Sequence, residues 1–218
     1  MTAVRTAAPV GPSAPVGPSA PSAPAGRTAR PVARRTPHSR HTLLAEAVRL
    51  FNEKGFAGAS MGVLAARLGL TKSTLYHHVS GKEELLEMAL DRAGRHLLSA
   101  LRPTDDAHPA FVRLERFVRS VPDRPARELP FVQLLLGPDG RSVTGARADL
   151  ERRVAELIRD CAREGSVRQD LPPDLCAGLL LDTLGAAVAR RAGRGAVPAR
   201  VVAALALGGL RAPVPAAV

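Results

Sequence analysis

The sequence predicts an all-α protein, and three observations support this fold class. From Ser39 onward, apolar residues recur every three or four positions, the spacing that places them on one face of a helix. Proline and glycine interrupt these stretches at intervals typical of helices joined by loops. No stretch shows the strict alternation or the richness in β-branched residues of a strand.

Nine helices are predicted from this periodicity and from capping residues and breakers. They span residues 39–55, 60–69, 72–78, 82–101, 109–121, 128–136, 143–164, 173–192 and 198–211. Gly55 follows Lys54 as a stop signal for the first helix. Ser60 and Thr71 are the predicted N-caps of the second and third helices, because a hydroxyl can accept from a free backbone N–H there.

The net charge of +11 is concentrated near the N-terminus. Residues 1–40 hold six arginines and no acidic residue, whereas residues 41–101 are close to neutral. An excess of positive charge predicts a polyanionic partner, nucleic acid first and a membrane surface second. The longest apolar stretch, Leu179 to Val188, is too short to span a bilayer, so no membrane association is predicted.

Residues 1–36 are rich in proline, alanine, glycine and serine and contain the near-repeat VGPSAP. We predict a disordered tail, because few apolar side chains are present to offset the entropy lost on ordering. Two interpretations stay open. The arginines of the tail contact DNA phosphates, or the tail is a solvated extension without specific contacts.

The chain has two cysteines, Cys161 and Cys176, too few for a disulfide framework. They are interpreted as small apolar residues of amphipathic helices, which fits a reducing cytoplasm. The prolines near the N-terminus do not fit a signal peptide. His77 and His78 are neighbours on a helix, point about 100° apart and lack an acidic or cysteine partner nearby. Neither a metal site nor a cofactor is predicted.

The second and third predicted helices, joined by a tight turn at Gly69, match a helix-turn-helix. In this motif the second helix enters the major groove of DNA. Its first turn holds Lys72, Ser73 and Thr74, whose donors suit base edges and phosphates. From Arg67 to Lys82 the sequence contains no acidic residue, which predicts a local positive face.

The region from Leu43 to Leu86 resembles the N-terminal part of the tetracycline-repressor (TetR) family of regulators. The resemblance is carried, in order and at the family's spacing, by LLAEA, LFNEKGF, ASM, LAARLGL, TKSTLYHHV and KEELL. It implies a helix-turn-helix DNA-binding domain over residues 37–97. It also implies a helical effector-binding and dimerisation domain over residues 98–218.

The resemblance also implies which residues face DNA. These are Ser60, Lys72, Ser73, Thr74, Tyr76, His77, His78 and Lys82. Gly62 departs from the family, where an arginine or another polar residue often stands near the DNA. We expect a lost contact there and a helix propensity lower by about 1 kcal/mol. Val79 replaces the common aromatic residue and keeps the position apolar.

By this resemblance the protein is expected to be a homodimer that binds a near-palindromic double-stranded operator and is released by a small-molecule effector. Nothing in the sequence identifies the effector. Its pocket is expected to have mainly aliphatic walls, with Arg113, Gln133 and His108 as candidate polar anchors.

Two other classes of protein are alternatives to a regulator: an enzyme and an architectural DNA-binding protein. The sequence shows no nucleophile–base pair, metal cluster or phosphate loop, so no enzymatic activity is predicted. A sequence-independent architectural DNA-binding protein would suit the basic tail. The ratio of affinities for operator and scrambled DNA at fixed salt distinguishes that class from a regulator.

Overall fold

The computed structural model describes residues 39–101, 108–142, 145–193 and 197–211. These residues form ten helices: α1 (Arg40–Gly58), α2 (Met61–Arg67), α3 (Lys72–Tyr76), α4 (Lys82–Ser99), α5 (Ala110–Ser120), α6 (Leu129–Leu136), α7 (Pro138–Ser142), α8 (Ala146–Arg163), α9 (Pro173–Gly193) and α10 (Ala199–Gly208). Within these ranges the only strand-like pairing is an isolated antiparallel bridge between Val167 and Arg211. The all-α prediction is confirmed, while the predicted tail lies outside the described residues.

The predicted helices are present, and two details differ. Gly55 has φ 70° and ψ 161°, so the helical path breaks there as predicted, but a further turn carries α1 to Gly58. The short helix α7 was not predicted, because five residues with two glycine or proline positions are too few to show periodicity. It occupies part of what was expected to be a loop before α8.

Three hydroxyl caps fix the starts of the first three helices. Ser39 Oγ accepts from the backbone N–H of Thr42 at 3.2 Å. Ser60 Oγ accepts from Val63 at 3.3 Å, and Thr71 Oγ1 accepts from Thr74 at 3.1 Å. Each cap satisfies a backbone donor that the helix leaves unpaired. The caps predicted at Ser60 and Thr71 are confirmed.

The turn between α2 and α3 depends on a left-handed residue. Gly69 has φ 62°, and its N–H donates to the carbonyl of Ala66 at 3.1 Å. The N–H of Leu70 reaches the carbonyl of Ala65 at 2.9 Å. This pair of bonds is a Schellman motif, which ends α2 and redirects the chain into α3. Leu75 and Val79 then bury their side chains in the core, as predicted.

The long helix α4 joins the first three helices to the rest of the chain. It packs on α1 and also on α6 and α8. Further along, α9 packs on α8 and α6, and α10 packs on α5. All described residues belong to one compact unit, Pro37–Val218. The domain boundary near residue 97 stays a prediction.

Helices α6 and α9 approach each other closely at Gly185. A β-carbon at this position would lie 2.8 Å from the carbonyl oxygen of Leu136, too close for any side chain. The close approach brings the end of α6 against the middle of α9.

Within the described residues, none of the helices has the length and hydropathy needed to cross a membrane.

Candidate nucleic-acid interface

The first turn of α3 presents polar side chains to solvent. Lys72 and Ser73 are exposed, whereas Thr74 is half-buried and its hydroxyl lies 2.8 Å from that of Thr71. Tyr76 is 51% exposed, although it is the only tyrosine and carries a large apolar ring. A ring left in solvent on a short polar helix is available to a partner.

The two histidines after Tyr76 extend the same polar segment. His77 is the C-cap of α3, and both His77 and His78 are exposed. In the part of the chain that the structure describes, no group of three or more histidine, cysteine or acidic residues is placed to hold a metal ion.

The side chain of Lys72 crosses over the start of α2 at Gly62. A β-carbon at Gly62 would lie 2.9 Å from Lys72 Cε, 3.4 Å from Lys72 Nζ and 3.8 Å from Ser60 Oγ. The structure therefore brings Lys72 beside the capping hydroxyl of Ser60. It also gives Gly62 a role that the sequence did not indicate, because the missing side chain leaves room for the lysine.

The local positive face predicted between Arg67 and Lys82 is smaller than expected. Arg67 forms ion pairs with two acids of α1, Glu53 and Glu46, the latter at 3.4 Å. The hydrogen bond from Arg67 holds the pKa of Glu53 below its usual value. These acids are distant in sequence, so an acid-free segment did not imply an acid-free surface. Lys72 has no ion-pair partner among the described residues.

Lys82 is half-buried, and its ammonium binds backbone groups. Its ammonium donates to the carbonyl oxygens of Phe56 at 3.1 Å and of Ala59 at 3.4 Å, and it lies 4.4 Å from the centre of the Phe56 ring. Sequence reasoning assigned this ammonium to a DNA phosphate. In the structure this ammonium lies at the end of α1, against carbonyls of its last turn. Its contact with a DNA phosphate stays a prediction.

The junction of α3 and α4 is held by a carboxylate. Glu84 accepts from the backbone N–H of Ser80 at 2.7 Å and from its hydroxyl at 2.9 Å, and these bonds lower the pKa of Glu84. Arg40 also donates to Glu84 at 2.8 Å. One of the six arginines in residues 1–40 is therefore part of α1 and paired with α4.

A cavity of about 500 Å³ lies between α1, α6, α7 and α9. Gln133, one of the three candidate effector anchors, lines it. His108 and Arg113 are not among its lining residues; they lie just before and within α5. Phe51 of α1 contributes an aromatic wall that sequence reasoning did not anticipate.

The last two helices expose large apolar side chains. Leu175 and Leu179 on α9 are 54% and 59% exposed, and Leu205 on α10 is 74% exposed. Val201, one turn before Leu205, is 39% exposed. Pairs four residues apart share a helix face, so each helix carries an apolar stripe in contact with solvent.

A capped two-helix unit with a short polar second helix defines a helix-turn-helix protein. Residues 43–89 match the family described as bacterial regulatory proteins, tetR family. The HTH-type transcriptional regulator UidR of Escherichia coli K12 is 25% identical over 152 residues, which is 66% of this chain and 76% of UidR. The tetracycline repressor protein class D of Escherichia coli is 33% identical over 76 residues, 34% of this chain and 35% of that protein.

A solved structure extends the similarity over nearly the whole fold. It is that of SCO3833, a member of the TetR transcriptional regulator family from Streptomyces coelicolor A3. It is 35% identical, with a TM-score of 0.61 over 78% of this chain and 92% of that one. The protein belongs to the TetR family of DNA-binding transcriptional regulators, a family that is not enzymatic.

Proposed function

We propose that the protein is a homodimeric repressor that reads a near-palindromic operator with α3 and leaves it when a small-molecule effector binds. The observation that carries this proposal is the position of Lys72. Its ammonium is free of acidic partners in the described chain and lies beside Ser60 at the start of α2. The starts of two helices and one cation thus converge at a single surface.

The residues around Lys72 have chemistry suited to different parts of DNA. Ser73 and Thr74 are short donors on the first turn of α3, the part of a recognition helix that meets base edges. Ser60 and Tyr76 carry hydroxyls suited to phosphate oxygens, which position the protein on the duplex. His77 and His78 extend the polar surface. Lys82 supports this surface by fixing α4 to α1.

The apolar stripes of α9 and α10 support a dimer. Exposure of Leu179 and Leu205 to water is unfavourable, because their side chains are large and apolar. A two-fold axis would bury each stripe against its copy in the partner. A dimer doubles the recognition helix, which matches an operator with two half-sites about one DNA turn apart or somewhat more.

We infer repression from the similarity to the tetracycline repressor protein class D, whose name describes a repressor. The dimer has one arrangement of its two α3 helices that fits the operator and another that does not. An effector that binds the second arrangement more tightly than the first lowers operator affinity, and the ratio of its two affinities limits how far. DNA binding of this kind takes place in the cytoplasm of a bacterial cell.

The test begins with selection of bound sequences from random double-stranded DNA. We expect a near-palindromic site that the protein prefers over scrambled DNA by about a thousandfold or more at fixed salt. Lys72→Ala should weaken binding to this site by about tenfold and lower the salt slope by about one. Tyr76→Phe removes only the hydroxyl and keeps the ring, so it should weaken operator binding less than Tyr76→Ala.

Lys54 provides the matched control, because it is an exposed lysine at the end of α1. Lys54→Ala should leave affinity and salt slope within about twofold of the unmodified protein. A specificity ratio near one would support an architectural DNA-binding protein instead. Equal affinities for Lys72→Ala and Lys54→Ala would contradict the assignment of α3 as the recognition helix.

A further inference from the structure

The cavity between α1, α6, α7 and α9 is lined both by the first helix of the DNA-reading unit and by helices that follow this unit. Phe51 and Asn52 come from α1, the first helix of the DNA-reading unit. Leu134 and Leu136 come from α6, and Ala186 and Ala189 come from α9. With a volume of about 500 Å³ and mainly apolar walls, it has the dimensions of a small-molecule site.

The charged groups of the cavity are already partnered by the protein. Asp182 accepts from Arg141 at 3.2 Å and from the buried Arg147 at 2.9 Å. The carboxylate of Asp139 accepts from the backbone N–H of Phe56 at 2.9 Å. Asp139, Arg141 and Asp182 line the cavity, whereas Arg147 lies behind Asp182. Each of the three lining charges already has a partner in the protein, so the cavity offers no unpaired charge to an occupant.

Two amide side chains remain to recognise a ligand. The side-chain amide of Gln133 has no hydrogen-bond partner among the described residues, although it is only half exposed. Asn52 donates its amide N–H to the carbonyl of Pro130 at 2.8 Å, which orients the side chain and leaves its oxygen as an acceptor. Together they offer donors and acceptors without charge. The complementary ligand is uncharged, largely apolar and able to form hydrogen bonds.

A chain of hydrogen bonds joins this cavity to α4. Asp139, a wall residue, holds the N–H of Phe56, which directly follows the kink at Gly55. The carbonyl of the same Phe56 accepts from Lys82, the first residue of α4 and three positions after Val79. Phe56 is therefore held on one side by the cavity and on the other by the helix that follows α3.

We propose that this cavity is the effector site, that its ligand is an uncharged apolar molecule recognised by Gln133 and Asn52, and that Asp139 couples its occupancy to the DNA-reading helices. This proposal rests on the proposed function. A ligand between α7 and α1 separates Asp139 from Phe56, which frees the end of α1 and moves the start of α4. By reciprocity, operator binding weakens ligand binding by the same factor.

The site is tested with Nile red, an uncharged dye that fluoresces in apolar surroundings. We expect saturable binding of one dye per chain. Gln133→Phe and Ala189→Phe fill the cavity from α6 and from α9, and each should weaken dye binding at least tenfold. Ala148→Phe adds the same ring at an exposed position of α8 outside the cavity and should not weaken it.

Charge selectivity is tested with the anionic dye anilinonaphthalene sulfonate, which should bind at least tenfold more weakly than Nile red. Unchanged Nile red binding in the cavity variants, with helical circular dichroism retained, would overturn the site. Since the two substitutions lie on different helices, a single variant that folds is sufficient to test the site. Equal binding of the two dyes would overturn the assigned ligand class.

Coupling is tested with the operator obtained by selection from random DNA. Saturating operator should weaken Nile red binding about tenfold, and saturating Nile red should weaken operator binding by the same factor. Asp139→Ala should bring this factor to about one. Asp139→Asn should retain it, because the amide oxygen still accepts from the N–H of Phe56. Asp123→Ala, at an exposed position before α6, is the matched control and should also retain it.

The outcomes separate this proposal from the proposed function. The role of Asp139 would be overturned if Asp139→Ala kept the coupling factor of the unmodified protein. It would also be overturned if Asp139→Asn lost as much coupling as Asp139→Ala. Failure to select any operator would overturn the proposed function and the coupling step with it. The dye titrations would still decide whether the cavity binds an uncharged ligand.

Discussion

The ammonium of Lys82 lies 4.4 Å from the centre of the Phe56 ring and donates to the carbonyl oxygen of the same residue at 3.1 Å. A second bond, to the carbonyl of Ala59, is 3.4 Å long. One cation thus closes the end of α1 onto the start of α4. Phe56 also packs edge-on against Phe51, with ring centres 5.5 Å apart, so the contact reaches the core.

Replacing Lys82 with methionine should therefore reduce the free energy of unfolding by about 2 kcal/mol, since charged hydrogen bonds are stronger than neutral ones. Urea denaturation measures this loss. A double-mutant cycle with Phe56→Leu should give a coupling energy of about 0.5–1 kcal/mol for the cation and the ring. Lys54→Met is the control and should cost less than about 0.5 kcal/mol. Equal stabilities of the two methionine variants would contradict the structural role of Lys82.

Substitution of Gly62 should separate stability from DNA binding. Gly62→Ala adds a β-carbon 2.9 Å from Lys72 Cε, and the flexible end of the lysine can move away. Thermal unfolding should show α2 stabilised by up to about 1 kcal/mol, because alanine has the higher helix propensity. Operator affinity should fall, but by less than in Lys72→Ala. Unchanged affinity would mean that the position of Lys72 over Gly62 has no part in DNA binding.

The exposed apolar stripes should hold the dimer together. Leu179→Glu and Leu205→Glu each place a charge within a surface that a partner would bury, and we expect monomers at concentrations where the unmodified protein is a dimer. Sedimentation measures the change, and operator affinity should fall with it. Val112→Glu changes an exposed valine on α5 and should leave the dimer intact. Dimers that persist in both leucine variants would refute this interface.

The two cysteines should be unreactive in the native protein. Burial raises the pKa of Cys161 to about 12, with further increases from Glu164 and Asp160, and burial also raises that of Cys176. Both thiols therefore stay protonated at pH 8, and Ellman's reagent should modify them at least about a hundredfold more slowly than in urea. Rapid modification of the folded protein would argue for a redox role.

The same pKa shift predicts how stability depends on pH. The unfolded thiol ionises near pH 9, whereas the folded Cys161 keeps its proton to about pH 12. Its contribution to stability is therefore complete below pH 9 and is lost as the pH rises from 9 to 12. Cys161→Ala should lower stability by a constant amount below pH 9, and the difference between the two proteins should shrink as the pH rises from 9 to 12. An identical pH dependence in both proteins would contradict the shift.

Removal of residues 1–36 should alter salt dependence more than sequence preference. The deletion removes five arginines and leaves Arg40, which pairs with Glu84. If the tail contacts phosphates, the slope of affinity against salt concentration should fall by up to about 4, since each phosphate contact contributes about 0.9. The ratio of operator to scrambled affinity should stay the same. An unchanged slope would support the interpretation of the tail as a solvated extension.

Local interactions explain why much of the fold was predictable. The caps at Ser60 and Thr71 bind backbone donors three residues away, and the burial of Leu75 and Val79 follows from helical spacing. These interactions depend on short stretches of chain, so the sequence alone indicates them. The same locality explains why α3 was found with its exposed Lys72.

Pairing between distant residues explains what was missed. Arg67 was expected to add to a positive face, but its partners Glu46 and Glu53 lie 21 and 14 residues away on α1. Those acids share one face of α1 at a spacing of seven residues, which was an available signal. Lys82 reaches carbonyls 26 and 23 residues back, and nothing in its neighbourhood indicates this.

The sequence by itself determined the all-α class, the order of the helices and the capped starts of α2 and α3, because each depends on contacts within one helical turn. Only the tertiary structure decided which charges remain free and where a ligand can lie. Among the described residues Lys72 has no ion-pair partner, whereas Arg67 has two. Gln133 of α6 meets Asn52 of α1 and Asp182 of α9 at one cavity. Such groupings depend on how separate helices pack, and helical periodicity fixes which face is buried but not which partner buries it.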